Sequence, residues 1–258
     1  MTPGKTYLSS DEIRPLAERS DPMGLWLLLH CWGTIALAIA LFALWPNVLT
    51  FVLAVMVIGS RQLGLAILMH EAAHHALCKP RRWNGLAGDW LCGRPILADL
   101  GAYRHYHLTH HRFTQTDKDP DLVLSSKFPT SRASLRRKFT RDLTGQTGIK
   151  QLLGQIAMSL QLAGDDDAIK AANSDFAQSF KAPRLWGALP VFFGIALLIS
   201  LIGDWWWGLA FWLLPYLTWF QFVLRVRNIA EHGATEQSEN PLQNVRTTRA
   251  GPLARLRV

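Results

Sequence analysis

Seven of the nine histidines in this 258-residue chain fall in two clusters, His70-Glu-Ala-Ala-His74-His75 and His105-Tyr-His107-Leu-Thr-His110-His111. Imidazole is the commonest protein ligand for iron, zinc and copper. His70 and His74 stand at i and i+4, about 40° apart around a helix, so their rings can reach one ion together, while His75 is rotated by about a further 100° and is placed to serve a second metal or to hydrogen-bond the first set. His107, His110 and His111 form HxxHH, in which i+3 and i+4 both return to the face of i. Burying three such rings for purely structural reasons would require a partner for each, so ligation is the stronger reading of this cluster. His105 and the isolated His30 are read as structural or interfacial. The chemistry expected is that of a metal centre, with more than one metal.

The first cluster is also literally HExxH, the zinc-protease motif in which Glu71 would be the general base. Such a site completes its zinc with one distant carboxylate and has no use for HxxHH. A membrane zinc protease therefore stands as an alternative behind the multi-metal centre.

The elements that must position these histidines are apolar. Leu25 to Trp45 runs 21 residues and Trp205 to Leu224 runs 20 residues without a formal charge. At about 1.5 Å per residue, each can cross a hydrocarbon core of about 30 Å. Val48 to Met69, interrupted by Arg61 and Gln62, and Leu185 to Ile202, carrying Pro190, complete a set of four expected spans. Pro46-Asn47 and Gly203-Asp204 separate them into two tight helical hairpins. The expected fold is all-α: one polytopic membrane domain over residues 1–258, with four transmembrane helices at about 25–45, 48–69, 185–202 and 205–224. A cytoplasmic insertion, 79–184, forms a helical cap that carries the histidine clusters.

Charge supports that topology. Of 27 Lys and Arg, three precede Leu25, 17 lie between Lys79 and Arg184, six follow Leu224, one is Arg61, and neither hairpin tip has any. The positive-inside rule then places both termini and the middle segment in the cytoplasm, so the net charge of +8 reads as membrane orientation. No nucleic-acid partner is expected, since no binding motif accompanies the basic residues. Residues 1–24 are polar and unlike a cleavable signal peptide. Cys31, Cys78 and Cys92 form no CxxC pair and are expected as packing thiols in a reducing compartment. Trp26, Trp45 and Trp205-Trp206-Trp207 stand at span ends, where amphipathic rings favour the membrane interface.

In the middle segment Trp83, Leu86, Ala87, Trp90 and Leu91 repeat at helical spacing, as do Ile149, Leu152, Leu153, Ile156 and Leu160. Both stripes fit a helix on the bilayer surface or one capping a cytoplasmic core. Lys127 to Arg141 is read as solvated or headgroup-facing, and Asp165-Asp166-Asp167 as a loop before a short helix.

HExxHH at the end of the second span, followed by Arg104-x-x-His107-x-x-His110-His111, Thr114 and Asp119-Pro120-Asp121, resembles the first two histidine boxes of the membrane fatty acid desaturase superfamily. The resemblance runs from about Leu25 to His232. Asn228-Ile-Ala-Glu-His232 is similar to the family's isolated ligand histidine preceded by a water-linked asparagine. It implies a metal set of His70, His74, His107, His110, His111 and His232, with His75 and Asn228 as accessories, holding two non-haem irons that activate O2 as co-substrate. It also implies an acyl-lipid substrate and a separate electron donor, whether ferredoxin, rubredoxin or a small cytochrome, since no fused electron-transfer module is visible. Related lipid or carotenoid hydroxylases and ketolases share the pattern. The family's third box, a further HxxHH after the fourth span, has no counterpart after His232. This leads to the expectation of a C-terminally incomplete form that binds its second iron weakly, with an inactive scaffold as the remaining alternative.

Overall fold

The computed structural model describes residues 8–122, 128–159 and 182–235, together with Ser238 and Gln243, and every regular element among them is helical. Helix starts are set by side-chain caps. Ser9 and Glu12 form a capping box for α1 (Ser10–Leu16), and Ser20 accepts from Met23 N to open α2 (Asp21–Leu44), which carries Pro22 in its first turn. Pro46 stops the chain after α2. Asn47 then accepts from the amides of Leu49 and Thr50, in a box completed by Thr50, and starts α3 (Val48–Ala73).

The end of α3 decides where its histidines sit. His75 N–H donates to Ala72 O at 3.0 Å and Ala76 N–H to Glu71 O at 2.8 Å, a Schellman closure with His75 in the left-handed position at φ 57°. The helix therefore ends at His74 and does not continue through His75. After it come α4 (Arg81–Leu86), a π-helical turn (Ala87–Gly93) and a single 3-10 turn (Arg94–Ile96), then α5 (Leu100–Phe113), α6 (Arg132–Leu143) and α7 (Gln146–Ser159). The chain closes with α8 (Ala182–Ile202), a second π-helical turn (Leu209–Leu213), α9 (Leu214–Leu217) and α10 (Trp219–His232). Asp165-Asp166-Asp167 lies outside the described residues.

Among the described residues, three helices are long and apolar enough to cross a membrane: Asp21–Leu44, Val48–Ala73 and the composite Leu209–Glu231. The remaining expected span corresponds to α8, in which the stretch Gly187–Ile202 is apolar. α2 and α3 pack antiparallel, with Phe42 against Phe51 near the turn and Cys31 Sγ against Arg61 O at 3.3 Å further along. α8 and the composite helix do the same, with Ser200 Oγ accepting from Gly208 N near their turn and Phe192 meeting Tyr216 further along. The two turns lie together. Phe42 contacts Trp206, Trp207 and Phe211 at ring distances of 5.9, 5.8 and 4.9 Å, so the histidine-bearing end of α3 lies at the opposite pole. Of the tryptophan run expected at the interface, Trp205 points outward, whereas Trp206 and Trp207 turn inward onto this aromatic cluster.

Gln62, polar in mid-helix, is fully buried and donates through Nε2 to Trp212 O at 3.0 Å. Trp212 sits in the second π-helical turn, where the wider ring disrupts the regular backbone ladder and favours an outside donor. Gly59 allows the two spans this close, since a methyl group there would lie 2.9 Å from Trp219 Cβ. The outer surface is apolar: Leu37, Leu44, Val48, Leu49, Leu201 and Ile202 are each at least 68% exposed. A water-facing surface of this extent would be an aggregation hazard, and a hydrocarbon solvent removes it.

Candidate metal centre

At the pole away from the turns, α3 and α5 bring four histidines together. Ligand atoms of His70, His74, His107 and His111 all lie within 4.8 Å of one another. His74 Nε2 and His111 Nε2 approach His107 Nε2 to 2.8 and 2.9 Å. Both pairs are at i, i+4 on their helices, which is the spacing that puts two rings on one face. The centre is graded in exposure, with His107 buried, His70 and His74 half-buried and His111 open to solvent.

The two helices are locked to each other by Arg104. Its guanidinium donates from Nε to Ala73 O at 2.9 Å and from Nη2 to Ala72 O at 3.0 Å. These carbonyls end α3, where unsatisfied acceptors and the negative end of the helix dipole favour a cation. One turn further along α5 is His107, so the same contact that caps α3 aims the second cluster at the first. Tyr103 adds a stacked face, 5.2 Å from the His107 ring at 7°.

Protonation states suit metal binding. Burial, reinforced by His70, His111, His74 and His110, pushes His107 down to about 2, and burial followed by the charge of His70 lowers His74. These rings are neutral at pH 7. Three Nε2 atoms converging within hydrogen-bond distance place lone pairs against one another unless a proton or a cation lies between them, and four nitrogen donors suit iron or zinc. The residues present therefore fit a nitrogen-ligated metal.

His110 is oriented differently from its two neighbours. Its Nδ1 pairs with Asp119 Oδ1 at 2.7 Å, and both side chains are buried. Asp119 also accepts from Gln115 N at 2.7 Å and from Asp121 N at 2.8 Å. Burial pushes the Asp119 carboxyl up, but the bonds from His110, Gln115 and Asp121 outweigh it and hold the carboxyl below the ordinary range. A carboxylate on Nδ1 fixes the tautomer that presents Nε2 as a ligand, the usual support of a metal-binding histidine. Asp121, which accepts from Tyr106 Oη, is pushed by burial up to about 7.

The other expected site residues are placed as follows. His75 is not part of the four-histidine group: it terminates α3, and its Nδ1 is buried with no hydrogen-bond partner among the described residues. Asn228 is half-buried on α10, and the side chain of His232 lies outside the described residues. Glu71, the base of the protease alternative, is paired with His70 Nδ1 at 3.0 Å. Spacing alone did not single out Tyr103 or the carboxylate role of Asp119. A buried ion pair was also unforeseen: Arg225 of α10 binds Asp142 of α6 through Nε and through Nη2 at 2.8 Å, and Thr147 Oγ1 donates to the same carboxylate at 2.6 Å.

Comparison with known proteins agrees with this geometry. The chain is 28% identical over 246 residues to dihydrorhizobitoxine desaturase of Bradyrhizobium elkanii, an alignment covering 92% of this chain and 65% of the relative's length. Residues 43–256, which include both histidine clusters, both π-helical turns and α10, match the fatty acid desaturase family, and the chain belongs to that family.

Proposed function

We propose that this chain is the membrane-embedded catalytic unit of an O2-dependent non-haem iron desaturase. The observation that carries the proposal is the convergence of four imidazoles within 4.8 Å at one end of the apolar helices. His70, His74, His107 and His111 would hold one iron. His110, oriented by Asp119, would serve a second, with His232, Asn228 and His75 as its further candidates. When bound, such iron supplies the oxidising power to break an unactivated alkyl C–H bond, which acid–base side chains lack. The chain's own residues hold rings at fixed tautomers, keep His107 neutral and exclude water from the buried side of the centre. The overall change converts a CH2–CH2 pair to CH=CH, reducing O2 to two waters with two electrons and two protons. The electrons come from a separate ferredoxin, rubredoxin or small cytochrome.

Four membrane crossings, with both helical turns outside and the histidine pole in the cytoplasm, agree with the meeting of the two turns and with the absence of Lys and Arg from both. A lipid acyl chain is the substrate best matched to a centre at the end of lipid-facing helices. The relative's name favours desaturation over hydroxylation and makes dihydrorhizobitoxine the second compound to assay.

The test is anaerobic Fe(II) reconstitution of purified protein, followed by metal analysis and by alkene detection with O2, reductase and ferredoxin. The expected result is one firmly held iron per chain with a second held more weakly, alkene formation, and loss of both in His107→Ala and His111→Ala. Stoichiometric zinc with peptide hydrolysis abolished in Glu71→Gln would overturn the proposal, as would iron below about one per chain in a folded protein.

A further inference from the structure

The stripe Trp83, Leu86, Trp90 and Leu91 does not cover a core. These side chains are 49, 51, 50 and 47% exposed, on the outside of the segment formed by α4 and the first π-helical turn. The segment also does not sit on top of the helical ends. Near its start, Lys79 N–H donates to Asp21 Oδ1 at 2.6 Å, at the beginning of α2; near its end, Leu91 O accepts from Trp32 Nε1 at 3.1 Å. Eleven residues of α2 separate those anchors, so the segment descends about 16 Å beside the span. Its start is pinned by the buried Asn84, which accepts from Cys78 N and donates to Pro80 O. Arg81 and Arg82 are exposed at its upper end, while Arg94 at the lower end is paired with Asp89 and lies 3.8 Å over the Trp90 ring.

The inner face carries glycines where the outer face carries tryptophans. A methyl group at Gly88 would lie 2.3 Å from Ala72 Cβ, and one at Gly93 would lie 3.0 Å from Met69 Sδ. Met69 and Ala72 flank His70 on α3. A single layer of backbone therefore separates the outward stripe from the turn of α3 that carries a metal-binding histidine.

Resting on the membrane reading above, we propose that residues 80–96 are a membrane-embedded lateral wall of the histidine centre, and that Trp83, Leu86, Trp90 and Leu91 bind acyl chains of the adjoining leaflet. The occupant follows from continuity and charge. The exposed Leu25 and Leu29 share the face of α2 that carries the anchors Asp21 and Trp32, and basic residues sit at the headgroup end while the deeper arginine is neutralised by Asp89. A soluble protein partner would instead require this surface to stand clear of the bilayer.

The experiment places the photoreactive residue p-benzoylphenylalanine at Leu86 or Trp90 in the full chain, with Leu37 on the α2 exterior and the exposed Asp117 as controls. Each protein is irradiated in phosphatidylcholine nanodiscs and analysed by mass spectrometry. Lipid adducts at Leu86 and Trp90 are expected in yields like that at Leu37 and at least ~10-fold above Asp117. Adducts at Leu37 with none at Leu86 and Trp90, or with peptide adducts there, would overturn the lateral wall while leaving the membrane reading intact. Absence of lipid adducts at Leu37 as well would overturn both.

Discussion

At the scale of single residues, Asp119 is the most informative position. It is the buried acceptor that fixes His110 Nδ1, and two backbone amides hold its carboxylate in place. Asp119→Asn keeps the size and an acceptor oxygen but removes the charge, so iron affinity should fall about 10- to 100-fold with the fold retained. Competitive chelator titration, with circular dichroism as the control, measures this; unchanged affinity would mean that His110 is structural. The i, i+4 pairs were legible in the sequence because helical periodicity alone brings His70 with His74 and His107 with His111. The role of His75 was not. A left-handed C-terminal position normally announces itself as glycine or asparagine, and a histidine there reads as one more ligand of the cluster. Asp119 was visible only through family resemblance, because its partner is reached through a turn containing Gln115 at φ 61° that spacing does not reveal.

At the scale of elements, two charged clamps set how helices meet. Arg104→Ala leaves Ala72 O and Ala73 O without their side-chain donor and should cost about 2–4 kcal/mol, with a matching loss of iron because α5 carries half of the four-histidine group. Arg104→Lys, a single compact donor, should restore only part of either. The Asp142–Arg225 pair ties α6 to α10 and is more sensitive to one-sided change, since the Asp142 side chain is fully buried. Arg225→Met should destabilise by about 3–5 kcal/mol because it leaves the buried Asp142 carboxylate unpaired, whereas Arg225→Met with Asp142→Leu should recover most of the loss. Thermal unfolding in detergent reads both; a double variant less stable than Arg225→Met alone would show that the carboxylate acts through Thr147 instead. Pro46-Asn47 made the first turn legible, whereas the caps Ser9 and Ser20 were not read, and α2 starts at Asp21, four residues before the expected span. The π-helical turns were hidden, because residues such as Leu209 to Leu213 carry no local signal for a wider ring. The clamps were hidden too, as 83 residues separate Asp142 from Arg225.

At the scale of the whole molecule, hydropathy and charge report different things. Hydropathy found the long helices because hydrocarbon demands about 20 apolar residues per crossing, and for α8 it rests on the apolar stretch Gly187–Ile202. The basic residues fix orientation only if both helical turns are on one side, and that depends on α8 crossing fully. Phe42 at the end of α2 touches Trp206 and Trp207 just beyond α8, so the two turns lie together, as the proposed four crossings require. In intact cells, a membrane-impermeant maleimide should therefore label Pro46→Cys and Asp204→Cys, both at exposed turn positions, and should reach Asp117→Cys only after permeabilisation. The native Cys31 and Cys92 are buried, and the half-buried Cys78 is replaced by alanine in every labelled variant. Labelling of Pro46→Cys without Asp204→Cys would put the second turn elsewhere and reduce the chain to three crossings. The histidines of α3 and α5 would then have to be reconciled with a C-terminal helix entering from the opposite face, and the contact between Gln62 and Trp212 would have no common depth at which to form.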